Sequence, residues 1–380
     1  MIPVMRPFLG EEEAAAVADV VRSGWVAQGP RVAQFERAFA AFVGADHAVA
    51  TSSCTTALHL MLHLLAVGPG DEVVVPSFSF IATANVVRYC GATPVFADVS
   101  VESGNLTPES VAAVISPRTR AVLAVHHGGQ PADVGALRAV CGDLPILEDA
   151  ACAVGSTVRG RSVGADALMA AWSFHPRKLL TTGEGGMVTT SDATWAARLR
   201  RLREHGMTVS AADRHAAGRA VLEGYAETGF NYRMTDLQAA MGLVQLGRLP
   251  GMVARRREIV DRYYALLAQL PVRPVRDPAH GMSNHQSFWV ELPNDAPPVV
   301  DVLEALASAG VSARRGIMAA HVEPAYEGHP HVPLPTTEHL TTRTLILPVY
   351  HELTYVEQRT VVDALAQALA PVRSVAPARS

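Results

Sequence analysis

This chain of 380 residues predicts an α/β fold: a mostly parallel sheet with helices on both faces, followed by a smaller α+β domain. Three observations carry that reading. From Ala48 to Glu148, short apolar runs alternate with helical patterns, the order that builds parallel sheets. The run PILEDA, Pro145 to Ala150, is apolar up to its two closing carboxylates instead of alternating, so it reads as a strand covered on both faces. A hydrophobic content of 49% over this length is enough to bury a large core and a smaller one.

Taken in order, Glu11 to Arg22 pairs an acidic first turn with an apolar helical pattern, and Phe35 to Val43 repeats the pattern before the turn at Gly44. The alternation then runs through Ala48–Thr51 (strand), Thr55–Ala66 (helix), Glu72–Val75 (strand), Ala82–Tyr89 (helix), Pro94–Ala97 (strand), Ala121–His126 (strand) and Ile146–Glu148 (strand). Met187–Thr190 predicts a further strand, and Asp236–Leu246 opens a long helix near which the large domain should end. Gly251–Leu270 is helical in pattern. The three prolines of PVRPVRDP, Pro271 to Pro278, break regular structure, and Ser287–Leu292, Val299–Ala309 and Tyr355–Leu369 follow as strand, helix and helix. The large domain is therefore expected to span residues 1–250 and the smaller one 251–370. The tail 371–380, rich in Pro, Ala and Arg with nothing to bury, is expected to be disordered.

Lys and Arg number 32 against 36 Asp and Glu, a net charge of −4 that gives no electrostatic basis for binding nucleic acid or an anionic membrane. The run Arg255–Arg257 is short and reads as a solvated helix face. No apolar run approaches the roughly 20 residues that span a bilayer, and the N-terminal segment lacks a signal peptide's apolar stretch, so a cytoplasmic location is expected. Cys54, Cys90, Cys141 and Cys152 form no CxxC pair and are expected as reduced thiols. His59 and His63 share a helix face but lack an HExxH glutamate and a third ligand, so no metal site is expected.

The chemistry concentrates at Lys178. It closes SFHPRK, Ser173 to Lys178, and LLTTGEGG follows it. A lysine between a hydroxyl and a Gly-rich turn is placed to hold an aldehyde cofactor as a Schiff base. Pyridoxal phosphate needs such a lysine, a carboxylate that keeps its pyridine nitrogen protonated, and a phosphate cup. Lys178, Asp149 at a strand's C-terminal end and Ser173 supply one of each. Ser53-Cys54-Thr55 precedes a helix whose first-turn N–H groups suit an anion. Singly, these residues read as a surface cation, a strand-end ion pair and a helix cap; their conjunction in order and spacing favours the cofactor.

The blocks GWVAQGP (Gly24 to Pro30), TSSCTTALHL (Thr51 to Leu60), GDEVVVPSFSFIATANVV (Gly70 to Val87), GATPVFADV (Gly91 to Val99), EDAACAVGS (Glu148 to Ser156), SFHPRK with GEGG, and NYRMTDLQAA (Asn231 to Ala240) resemble, in order and nearly end to end, the DegT/DnrJ/EryC1/StrS sugar aminotransferases. These are pyridoxal-phosphate enzymes of fold type I, the aspartate aminotransferase-like superfamily. The resemblance implies phosphate contacts from Cys54, Thr55 and Ser173, and one from Asn231 to the cofactor of a neighbouring subunit, hence a homodimer with shared sites. It implies that Phe80 stacks on the pyridine ring, with Phe78 two residues earlier on the same strand face and in the core.

Many relatives carry Gln or His at the position of Cys152, to bond the cofactor's phenolic oxygen. A thiol is a weak donor there. Cys152 also raises thiol chemistry of the cysteine desulfurase kind, but that needs an accessible loop, and EDAACAVG reads as a buried residue. The implied activity is transfer of an amino group from L-glutamate or L-glutamine to a nucleotide-linked keto sugar or a cyclitol ketone, in amino sugar or natural product biosynthesis. Tyr232, Arg233 and His321 are candidate substrate contacts, while Arg314 and Arg315 read equally as surface ion pairs. Dehydratases of the same family carry histidine in place of the lysine, so Lys178 favours amino transfer over sugar dehydration and over a non-catalytic regulatory relative.

Overall fold

The computed structural model describes residues 1–210, 214–215 and 217–370, so the expected disordered tail lies outside the described residues. Helix α1 (Glu11–Ser23) is followed by α2 (Pro30–Val43), which begins five residues before its apolar pattern because a proline at the first helical position leaves no N–H unpaired. Then come β1 (His47–Thr51), α3 (Cys54–Leu64), β2 (Glu72–Pro76), α4 (Ala82–Tyr89), β3 (Thr93–Ala97), α5 (Pro108–Ala112), β4 (Thr119–Val125), α6 (Val134–Cys141) and β5 (Ile146–Asp149). A short pair, β6 (Thr157–Val158) and β7 (Arg161–Ser162), precedes β8 (Ala170–Ser173), β9 (Gly186–Thr190) and α7 (Ala193–Leu202).

These strands form a seven-stranded sheet in the order β1-β9-β8-β5-β4-β2-β3. Every neighbouring pair is parallel except those involving β9, which runs against both β1 and β8. Alternate strand residues serve the two faces. Val73, Val75 and Leu123 pack with α3, α4 and α7, while Val74, Val122 and Ile146 pack with α6. The aromatic residues of α2 pack with Trp172, Phe174 and the first half of the next helix.

That helix, α8 (Asp236–Leu267), is 32 residues long and passes without a break through Pro250, where proline removes the N–H that would reach the Leu246 carbonyl. Its first half packs on the large sheet. Its second half, through Ile259, Tyr263 and Leu267, packs under a four-stranded antiparallel sheet, β10 (Arg273–Pro274), β12 (Phe288–Glu291), β14 (Thr344–Leu347) and β13 (Arg314–Arg315), while β11 (Gly281–Met282) pairs with β6. Helices α9 (Val299–Ser308) and α11 (Tyr355–Leu369) complete this second core, and α10 (Pro335–Arg343) leads into β14. The proline-rich segment is not wholly irregular: Pro274 sits in the edge strand β10, a place where a missing N–H is tolerated. Ile2 and Met5 also pack here, and Ile2 bridges Val311.

The arginine run on α8 corrects the expectation of a solvated face. Arg256 is 2% exposed and donates to the carbonyls of His285 and Gln286 at 2.9 and 3.1 Å. Arg257 reaches the Ser283 carbonyl, and Arg255 those of His351 and Leu353. A guanidinium carries five donors in a fixed fork, so it satisfies several loop carbonyls at once and stays charged when buried. The run thus braces the loop that precedes β12, through Arg256 and Arg257, and the segment after β14, through Arg255.

Candidate active site

The C-terminal ends of β1, β2, β4, β5 and β8 meet at one edge of the large sheet. Because β9 is reversed, its start also lies there. Gly186 is in register with both Thr51 and Ser173, which puts the Ser53-Cys54-Thr55 turn beside Ser173. Only glycine fits: a Cβ at Gly186 would stand 2.3 Å from the Ser53 carbonyl carbon and 2.5 Å from the Cys54 nitrogen. Ser53 caps α3, accepting from the Thr56 N–H at 3.2 Å while Thr56 returns a bond to the Ser53 N–H. The first-turn N–H groups of Cys54 and Thr55 lie beyond reach of any helical carbonyl and remain donors for an anion. Ser173 ends β8, and its Oγ accepts only a long 3.4 Å contact from the His175 N–H.

Asp149 ends β5 and is buried. Its Oδ2 accepts from the Thr83 hydroxyl at 3.0 Å, and Thr83 accepts in turn from Ser79 at 2.8 Å; its Oδ1 accepts from the Ala151 N–H at 3.2 Å. Burial pushes the carboxyl up, against the pull of the Ala151 N–H, Lys178 and Thr83. Lys178 points its Nζ at Cys152 Sγ, 2.9 Å away. Burial opposes the charge of this ammonium, but Cys152, Cys54 and Asp149 hold it above the ordinary lysine range. Burial, and then Asp149, pushes the Cys54 thiol well up.

Three residues that sequence reasoning passed over shape this edge. Gln286 brackets the lysine: its Oε1 accepts from the Leu179 N–H at 2.6 Å and its Nε2 donates to the Arg177 carbonyl at 2.7 Å. Asn284 donates to the carbonyls of Cys152 and Val154 at 2.9 and 2.8 Å. His127, just beyond β4, packs its ring 4.7 Å from that of Phe78; burial, then Lys178, lowers it to about 4. The signal for Asn284 and Gln286 was a polar run, SNHQS, directly before an apolar strand.

The remaining candidates divide. Phe80 lies past the end of β2, not on a strand with Phe78, because the chain leaves the sheet after Pro76; the residue is 55% exposed, while Phe78 is buried and bridges Ala319. Cys152 is half-buried, not buried as its neighbours suggested, because it turns off the end of β5 toward Lys178. Tyr232 stacks on Phe230 and bonds His59 Nδ1 at 3.1 Å, so its hydroxyl faces α3. Arg233 is half-buried in the same segment, and Asn231 is exposed, bridged through its backbone to Glu204.

His321 is buried. Its backbone N–H donates to Ser77 Oγ at 3.1 Å, its Nδ1 shares a 2.7 Å hydrogen bond with the same hydroxyl, and its Nε2 lies 3.4 Å from Glu338. At that distance Nε2 makes no hydrogen bond. His321 therefore ties the segment from the second core to the end of β2. Arg315 pairs with Glu323 at 3.1 Å.

The residues fit pyridoxal phosphate. A buried carboxylate is satisfied by neutral donors and a backbone N–H, a lysine amine stands within its field, and a turn of free N–H groups is brought close by a glycine where a Cβ would clash. Asp149 would hold the pyridine nitrogen, Lys178 the aldehyde carbon, and Cys54, Thr55 and Ser173 the phosphate. Among the described residues no group of His, Cys, Asp and Glu is arranged to hold a metal ion, and no helix is long and apolar enough to cross a membrane.

Fold and site together define an α/β enzyme that binds an aldehyde cofactor on a lysine. The chain belongs to the DegT/DnrJ/EryC1/StrS aminotransferase family, whose model matches residues 7–366. It is similar to the aminotransferase TlmJ from Streptoalloteichus hindustanus, with 38% identity, 97% of this chain and 99% of that chain covered, and a TM-score of 0.90. DesI, solved in the presence of its TDP-sugar product, is 36% identical over 97% of this chain and 93% of its own, with a TM-score of 0.88. Spr1654 from Streptococcus pneumoniae, solved in its PLP form, is 27% identical over 97% and 98%, with a TM-score of 0.89. The fold is that of the type I pyridoxal-phosphate aminotransferases.

Proposed function

We propose that this aminotransferase moves the amino group of an amino acid, L-glutamate or L-glutamine, to the ketone of a nucleotide-linked keto sugar or a cyclitol. The single observation that carries the reading is the trio of Lys178, Asp149 and the glycine-tightened turn at one sheet edge. The TDP-sugar product of DesI supports a nucleotide-linked acceptor. Pyridoxal phosphate, when bound, supplies an aldehyde that takes up the donor's amino group and a pyridinium ring that accepts the electron pair released from the substrate carbon. Asp149 would hold the proton of the pyridine nitrogen. Thr83, backed by Ser79, and the Ala151 N–H fix its two oxygens. Lys178 Nζ would carry a proton from the donor's α carbon. Gln286 holds the peptide groups on either side of that lysine, so the amine moves on a fixed base.

The exposed side chain of Asn231 supports a contact across a homodimer, and the four free thiols suit a reducing cytoplasm. We take residues 1–250 as the cofactor-holding part and 251–370 as the smaller one. The test is the absorbance of the purified protein and of Lys178→Ala, before and after L-glutamate. The native protein should show a band at roughly 420 nm that glutamate bleaches, and the variant should not. A band that glutamate and glutamine both leave untouched overturns the donor assignment.

A further inference from the structure

The thiol at position 152 stands against the amine of the lysine that the reaction needs, and the role the resemblance implies there, a hydrogen bond to the cofactor, needs no oxidisable sulfur. Lys178 Nζ and Cys152 Sγ are 2.9 Å apart, both at the site edge, and the cysteine is half-buried, open enough for a small oxidant. The Cys152 carbonyl is held by Asn284, so the loop that carries the sulfur does not swing away from the lysine. A second thiol, Cys54, lies close enough to feel the charge of Cys152.

We propose that Cys152 and Lys178 form an oxidative modification site, in which peroxide joins the cysteine sulfur to the lysine nitrogen and withdraws the lysine from the cofactor. The step balances. The sulfur attacks one peroxide oxygen and the O–O bond breaks. The departing hydroxide takes a proton from the neighbouring Lys178 ammonium and leaves as water, and the thiol proton goes to solvent. The products are a sulfenic acid and a neutral amine in contact. The amine nitrogen then attacks the sulfur, the S–O bond breaks, and the second hydroxide leaves as water with a proton from nitrogen. Sulfur has lost two electrons and one peroxide has been reduced to two waters. Sulfenic acids are known to condense with thiols and with backbone nitrogen; a lysine amine at contact distance is a better nucleophile than an amide. A thiol reductant returns the free pair.

Cofactor bound through Lys178 occupies the amine, so the oxidised pair forms in enzyme that lacks pyridoxal phosphate and is suppressed when the cofactor is saturating. The site depends only on the two side chains, so it stands or falls separately from the choice of amino donor and sugar.

The full-length enzyme, with and without added pyridoxal phosphate, is treated with hydrogen peroxide, digested and mapped by mass spectrometry. The expected result is a linked species joining the peptides of Cys152 and Lys178, lighter by two hydrogens than their sum. It should be lost on reduction, diminished by the cofactor and absent in Cys152→Ser, whose fold is checked by circular dichroism. A disulfide between Cys54 and Cys152, or a sulfinic acid on Cys152 with Lys178 unmodified, overturns the proposal.

Discussion

Gln286→Leu tests how the imine lysine is held. The substitution keeps the shape of the side chain, 9% exposed in the native protein, and removes two hydrogen bonds that flank Lys178. The Leu179 N–H is buried and would stay unpaired, at about 1–3 kcal/mol; the Arg177 carbonyl is partly open and recovers water, at less than about 1 kcal/mol. The fold should therefore lose roughly 1–4 kcal/mol. Lys178 loses both neighbours' anchors together, and a misplacement of about 1 Å in a reacting group costs on the order of 100-fold. Stopped-flow measurement of the glutamate-driven absorbance change should show the rate falling about 10- to 100-fold, with a smaller change in the donor's apparent affinity.

Gln286→Glu keeps an acceptor for the Leu179 N–H but sets an oxygen against the Arg177 carbonyl, and should be at least as slow. A leucine variant with a rate within about twofold of native and an unchanged melting temperature would refute the clamp.

Gly186→Ala should weaken pyridoxal phosphate binding, because its Cβ would lie 2.3 Å from the Ser53 carbonyl carbon and force α3 off the sheet at about 1–3 kcal/mol; titration of the apo-protein measures it, and unchanged affinity rejects the cup. Thr83→Val strips a donor from Asp149 Oδ2 and should raise the cofactor dissociation constant about 10- to 100-fold, the weight of a hydrogen bond to a charged group, read by the same titration.

His127 and His285 are both held near about 4, in each case by burial first, below the ordinary histidine value. Between pH 6.5 and 4 the unfolded chain binds the extra protons, so their contribution, full above pH 6.5, is lost as pH falls, by roughly 3 kcal/mol each at most. Urea midpoints at pH 7 and 5 should differ less in the His127→Gln, His285→Asn double variant, and an equal difference would exclude these two groups as the source.

Much of the layout was legible because local pattern carries it. Helices α4 and α11 and strand β5 fall where apolar spacing puts them, and Lys178 and Asp149 stand out by the residues around them. What local pattern cannot carry is direction and distance. The run Met187–Thr190 shows that β9 is a buried strand but not that it opposes its neighbours. Asp236–Leu246 and Gly251–Leu270 read as two helical segments on either side of a domain end, yet packing on both cores keeps α8 intact through Pro250. Arg256 reads as solvated because its partners, the carbonyls of residues 285 and 286, come from a loop about thirty positions away. The same holds for Thr83 on Asp149 and for Asn284 and Gln286: each is an ordinary polar residue until the fold sets it beside its partner.

The reversal of β9 has a mechanical meaning for the lysine. A parallel crossover would carry the chain from the end of β8 to the far side of the sheet before returning, leaving one end of the connection remote from the site. Since β9 instead runs back beside β8, the segment between Ser173 and Gly186 leaves and re-enters the sheet at the same edge, through neighbouring strands paired in register at those two residues. Lys178 rides on an arch with both feet planted there, one foot against the turn that would grip the phosphate. The spacing between the lysine arch and that turn is thus fixed by the pairing of β8 and β1 on either side of β9, and not by the loop alone.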